Sequence, residues 1–193
     1  MTKIKPLRLA GMPRLYKGAS EDPADGACIM QYVSLIRYNR FDDQPRCVNV
    51  AVRDISIAVN DTSWDDERED RLMPLVHRLM NTQGLTNKQR KLLDRWRRAA
   101  HNAASESRQR VYDEWVREGR HYALACGCRM KDCRYTPFDR ATDAAASEIY
   151  YSCLLRMLDH IAAWKRFSPA EVTAEEWESW DQLRQQYAHA GIA

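Results

Sequence analysis

Three thiols and an imidazole fall within thirteen residues in the pattern His121-x4-Cys126-x-Cys128-x4-Cys133. Thiolate sulfur and imidazole nitrogen are the ligands of tetrahedral zinc, so these four side chains could hold a structural ion. The spacing lacks the usual C-x2-C knuckle, and a C-x-C pair does not make the usual turn around a metal. A connector with ordinary thiols is the second reading. Arg129, Lys131 and Arg134 sit among these cysteines and would lower thiol pKa values, which makes a reactive thiol the third.

Cys28 poses a separate question. It stands where a helix begins, and the positive end of a helix dipole favours thiolate. A cysteine hydrolase would also need a histidine nearby, and spacing alone places none of His77, His101, His121, His160 and His189 beside it. The plainer reading is a buried structural cysteine. A third constellation is the run Lys88, Arg90, Lys91, Arg95, Arg97 and Arg98, opposed only by Asp94. Lys88, Arg90, Lys91, Arg97 and Arg98 are candidates for a nucleic-acid backbone, with Trp96 stacking or packing. Trp96 shares a stripe with Leu92 and Leu93, which favours packing. The last constellation is Trp177, Trp180, Leu183 and Tyr187 at helical spacing. Trp177, Trp180 and Tyr187 are candidate partner-binding residues, with packing on the preceding helix as the alternative. Glu171, Glu175, Glu176, Glu178 and Asp181 make that end acidic, opposite in sign to the 88–98 run.

The elements that must position these groups are helical. The 193 residues are 45% hydrophobic and 30% charged, enough for a core and too apolar for wholesale disorder. Seven glycines and seven prolines are too few for a turn-rich β-sandwich. No apolar run is long enough to span a membrane, and no secretory signal opens the sequence. Six cysteines without such a signal read as free thiols or metal ligands in a reducing cytoplasm.

The pattern predicts an all-α, single-domain bundle of six to seven helices over residues 25–193, preceded by an irregular basic arm over 1–24. Asp25 is a candidate N-cap for a helix through Cys28–Ile36 and on to Tyr38. From Cys47 to Val59, Val48, Val50 and Val52 alternate like a strand while Val48, Val52, Ile55 and Val59 recur like a helix, and the length favours helix. Thr62 or Ser63 could cap a further helix whose first turn is acidic, and Pro74 should kink or split it. Gly84 ends that element. The longest stretch runs from Asn87 to about Glu118, with a bend expected in the poorly apolar His101–Ser107. A helix from Phe138 to about Arg166 follows, capped by Asp139 or Thr142. The capping box Ser168-Pro169-Ala170-Glu171, or a second candidate Thr173-Ala174-Glu175-Glu176, then opens the last helix.

The stretch Asp25-Gly26-Ala27-Cys28-Ile29-Met30-Gln31-Tyr32-Val33-Ser34-Leu35 is accompanied by Phe41-x-Asp43-x-Pro45-Arg46-Cys47, Val59-Asn60-Asp61 and Pro74-Leu75-Val76-His77-Arg78-Leu79. Together these resemble an uncharacterised group of proteins from actinobacterial phages and actinobacterial genomes. The chain departs from that group at Arg37-Tyr38, where the group tends to have Ala-Gly. It departs again at Asp42-Asp43-Gln44-Pro45, where the group often has Ser-Asp-His-Pro. The resemblance spans roughly residues 24–82 and carries over no activity. It implies a phage or phage-like origin and an intracellular accessory role.

The sequence has no P-loop, dinucleotide fingerprint, paired-histidine zinc helix or serine elbow, and no catalytic residue is assigned. The expectation is a cytoplasmic, non-enzymatic protein that binds a host or phage protein, with a homo-oligomer as one assembly. Nucleic-acid binding through 88–98 and the N-terminal arm, with zinc as the only candidate cofactor, is the alternative. A thiol enzyme centred on Cys28 is a third class.

Overall fold

The structure is a computed structural model that describes residues 13–38, 40–118 and 137–166. It is all-α, with no strand among the described residues. Six helices follow in order: α1 (Ile29–Tyr38), α2 (Val50–Thr62), α3 (Asp65–Leu72), α4 (Val76–Met80), α5 (Asn87–Arg117) and α6 (Pro137–Lys165). A 3-10 turn at Met73–Leu75 joins α3 to α4, because Pro74 brings no N–H to continue an α-helical ladder. As rods, α3 and α4 count as one, so the described residues hold slightly fewer helices than expected. The helix expected beyond Ser168 lies outside them. No described helix is long and apolar enough to cross a membrane.

α5 and α6 run antiparallel as the long pair. Trp96 meets His160 at one end, His101 meets Tyr150 midway, and Tyr112 meets Phe138 at the other. The expected bend at 101–107 is absent, and α5 is one helix of 31 residues. Ala100 and Ala104 of α5 and Ala146 of α6 are all buried in the shared core. Small side chains there let the two backbones approach, and alanine is the best helix former, so a weakly apolar sequence stays straight.

α2 packs against both long helices and α1 lies beneath it. In α1, every residue from Ile29 to Leu35 is buried. A helix buried on all sides needs no amphipathic stripe. Tyr32, Val33, Val52, Ile55, Val59, Leu72, Leu79, Leu93, Leu154 and Met157 join one continuous core.

Several caps differ from expectation. Asp25 belongs to a 3-10 turn, and α1 is capped by Cys28 instead. α2 starts at Val50 with Asn49 as its N-cap, the amide oxygen accepting from Ala51 N at 3.0 Å. Ser63 closes α2 rather than opening α3, whose N-cap is Trp64 without a side-chain bond. Gly84 takes φ +79° in the turn before α5, a left-handed conformation suited to glycine. Residues 1–12 of the expected arm lie outside the described residues. Residues 13–22 form no regular element, yet Leu15 is buried. Tyr16 N donates to Ala27 O, and Ala27 N to Arg14 O, both at 2.9 Å.

Candidate functional site

The N-terminus of α5 is set by a full capping box. The Thr86 hydroxyl accepts from Gln89 N, and the Gln89 side chain accepts from Thr86 N. From that start the 100° step per residue distributes the side chains. Leu93, Ala100 and Ala104 point into the core. Lys88, Lys91, Arg95 and Arg98 then fall on the opposite side, and all four are exposed. Their spacing of three, four and three residues makes a stripe about 15 Å long. With Asn87 and Asp94 they line an open groove of about 690 Å³.

Among the described residues that line the groove, the single acid, Asp94, is already engaged. Asp94 pairs with Arg97 Nε at 3.4 Å, and Arg97 also reaches Asp54 of α2 at 3.1 Å. Among the described residues, no carboxylate lies within ion-pair distance of Lys88, Lys91, Arg95 or Arg98. The stripe is therefore a run of uncompensated positive charge. Of the expected nucleic-acid residues, Lys88, Lys91 and Arg98 lie on it. Arg90 is exposed but bonded to the Asn87 side chain on its own helix. Arg97 is turned inward, where it ties α5 to α2. Arg95 completes the stripe in its place, and the signal for that was available in the spacing 88, 91, 95, 98.

Trp96 does not present a free face. The Arg156 guanidinium lies 4.6 Å above its ring, and His160 meets it edge-on at 4.7 Å. Its backbone oxygen accepts from the Cys153 thiol at 3.8 Å. Base stacking would have to displace Arg156, so Trp96 packs rather than stacks.

Cys28 is a capping residue. Its sulfur accepts from Gln31 N at 3.5 Å while Gln31 Oε1 accepts from Cys28 N at 3.0 Å. This is the reciprocal geometry of a capping box with a thiol in place of a hydroxyl. The thiol is 2% exposed, and burial pushes its pKa up to about 11, outweighing the backbone N–H donors that favour thiolate. Burial likewise pushes Cys153 up to about 11. His101 bonds the Tyr150 hydroxyl at 3.1 Å and His160 sits on Trp96, so neither serves Cys28 as a base.

Gln31, Asn60 and Asp61 join Arg68 and Glu69 in a polar latch that spacing did not reveal. Gln31 Nε2 donates to Ser20 O at 2.6 Å, and its oxygen also accepts from Ser20 N. Asn60 donates to Tyr16 O at 2.8 Å and accepts from Ile29 N at 3.2 Å. Asp61 accepts from Gly18 N at 2.9 Å, and Glu69 from Leu15 N at 3.1 Å. Arg68 is 2% exposed and donates to Asn60 O and Ser63 O, both at 2.7 Å. Those are carbonyls at the C-terminus of α2, where a cation also complements the dipole. A cavity of about 100 Å³, bounded by Tyr16, Lys17, Asp61, Trp64, Arg68 and Asp143, lies beside the latch. Lys17 and Arg108 both pair with Asp143, at 3.2 Å each, so its charges are matched in place. The latch pins residues 14–20 onto α1, α2 and α3, and its polar atoms serve structure.

Among the described residues, no three His, Cys, Asp or Glu side chains gather as a metal site. The candidate zinc ligands His121, Cys126, Cys128 and Cys133 lie outside the described residues, as do Trp177, Trp180 and Tyr187. The chain matches no protein-family model, and no curated protein or solved structure matches it.

Proposed function

We propose that this chain is a phage-type accessory protein that acts by binding, and that it engages an acidic face of a host or phage protein through the stripe Lys88, Lys91, Arg95 and Arg98. The observation that supports this reading is the absence of compensation on that stripe among the described residues. Asp94 is held by Arg97, so four cations face solvent along one line. Uncompensated surface charge steers association with an oppositely charged partner and raises its on-rate. The thiol-enzyme class loses its footing at Cys28, whose sulfur is spent on a cap and held protonated.

Nucleic-acid binding is the second reading, favoured by the regular 3-4-3 spacing of the cations. A backbone contact of this kind would be insensitive to base sequence and steeply salt-dependent. Titration of labelled polyglutamate and of a labelled DNA duplex at the same ionic strength separates the two. The protein-partner reading expects polyglutamate to bind at least as tightly as the duplex. Preference for the duplex transfers the function to the second reading, and binding of neither overturns both.

A further inference from the structure

The stripe on α5 has a charge-matched partner within the same chain. The antiparallel pairing returns α6 to the end of the molecule where α5 begins. His160 meets Trp96, the Trp164 ring lies 5.7 Å from that of His160, and Lys165 Nζ donates to Asn81 O at 2.6 Å. Arg166 then takes φ +52°, a left-handed residue that ends the helix and redirects the chain. The stretch Glu171–Asp181, outside the described residues, begins five residues later, a tether that spans up to about 17 Å. It holds Glu171, Glu175, Glu176, Glu178 and Asp181, with no lysine or arginine between Phe167 and Leu183. Five acids in eleven residues thus follow a helix that ends beside the start of α5, which carries four uncompensated cations in eleven residues.

We propose that the basic groove of α5 is the docking face for the acidic stretch Glu171–Asp181 of the same chain, which occupies it in competition with an external polyanion. The inference rests on the reading of this groove as a polyanion site. Tethering makes the competition effective. A segment held by a short linker acts at millimolar effective concentration, so a weak ionic contact is well populated until a better polyanion displaces it. Such a contact is exposed, and salt weakens it over a Debye length of about 8 Å at physiological ionic strength.

The test uses the full chain at low protein concentration and a zero-length carbodiimide, which joins a lysine amine to a carboxylate only where they touch. We expect Lys88 or Lys91 joined to one of the five acids in the monomeric fraction, mapped by mass spectrometry. In a second arm all five acids are neutralised (Glu171→Gln, Glu175→Gln, Glu176→Gln, Glu178→Gln and Asp181→Asn), and elution from heparin should move to higher salt. No such crosslink, or one confined to covalent dimers, overturns docking within the chain. Unchanged heparin elution of the neutralised variant, where the wild type is retained, overturns the competition. A crosslinked wild type with neither form retained on heparin keeps the docking and sinks the polyanion reading of the groove, so the two failures are distinct.

Discussion

Cys28 illustrates how one side chain can look catalytic and be architectural. The helix dipole that would activate it is present, but burial dominates and the thiol stays protonated. Cys28→Ser should keep the cap, whereas Cys28→Ala should cost about 1–2 kcal/mol through loss of the N-cap bond and of buried volume, read from urea midpoints. The raised pKa also sets a pH dependence. The unfolded chain releases this proton first, so the thiol's contribution is whole below pH 9 and is lost as pH rises from 9 to about 11. Melting scans across that window should fall less steeply in Cys28→Ser, and an equal fall in both proteins would contradict the assignment. Gly26 makes the latch equally testable. Its φ is +104°, and a Cβ there would sit 2.8 Å from Tyr16 Cβ. Gly26→Ala should destabilise by about 1–3 kcal/mol, seen as a lowered urea midpoint. These roles were hidden in the sequence because Gln31 and Asn60 act through backbone groups 11 to 44 residues away, and Arg68 through carbonyls at the end of the preceding helix. Only the folded arrangement brings Tyr16 O or Ser63 O to them.

At the scale of elements, hydrophobic periodicity located the helices well, since α1, α2, α5 and α6 all carry apolar residues at three- and four-residue steps. Their ends were less legible, because capping depends on which donors remain after packing. Asp25, Thr62 and Ser63 all had capping chemistry, while Cys28, Asn49 and Trp64 took the positions. The continuity of α5 was missed for a related reason. A stretch short of large apolar residues reads as a weak point, but Ala100 and Ala104 are buried in the core, and His101 and Ser107 bond residues of α6. Ala104→Leu should therefore overpack this seam and cost about 1–3 kcal/mol. Calorimetry should give a lower melting temperature for it, and an unchanged one would mean the helices are not in close contact there.

For the whole molecule, charge placement matters more than net charge. A formal +3 over 193 residues describes no particular partner. Placement concentrates four of the cations on the solvent side of α5, while Arg68, Arg71, Arg78 and Arg97 are drawn into bonds that hold the helices together. The sequence disclosed the basic run but not which of its members were spoken for, since the partners of Arg97 lie on α2 as well as α5. The measurement that bears most directly on the account is heparin elution of the quadruple variant Lys88→Glu, Lys91→Glu, Arg95→Glu and Arg98→Glu. Its control reverses two exposed cations farther along the same helix, Arg110→Glu and Arg117→Glu. With helicity unchanged in all three proteins, the wild type and control should be retained and the quadruple variant should flow through at low salt. Equal retention of the quadruple variant and the control would contradict the assignment of recognition to this face.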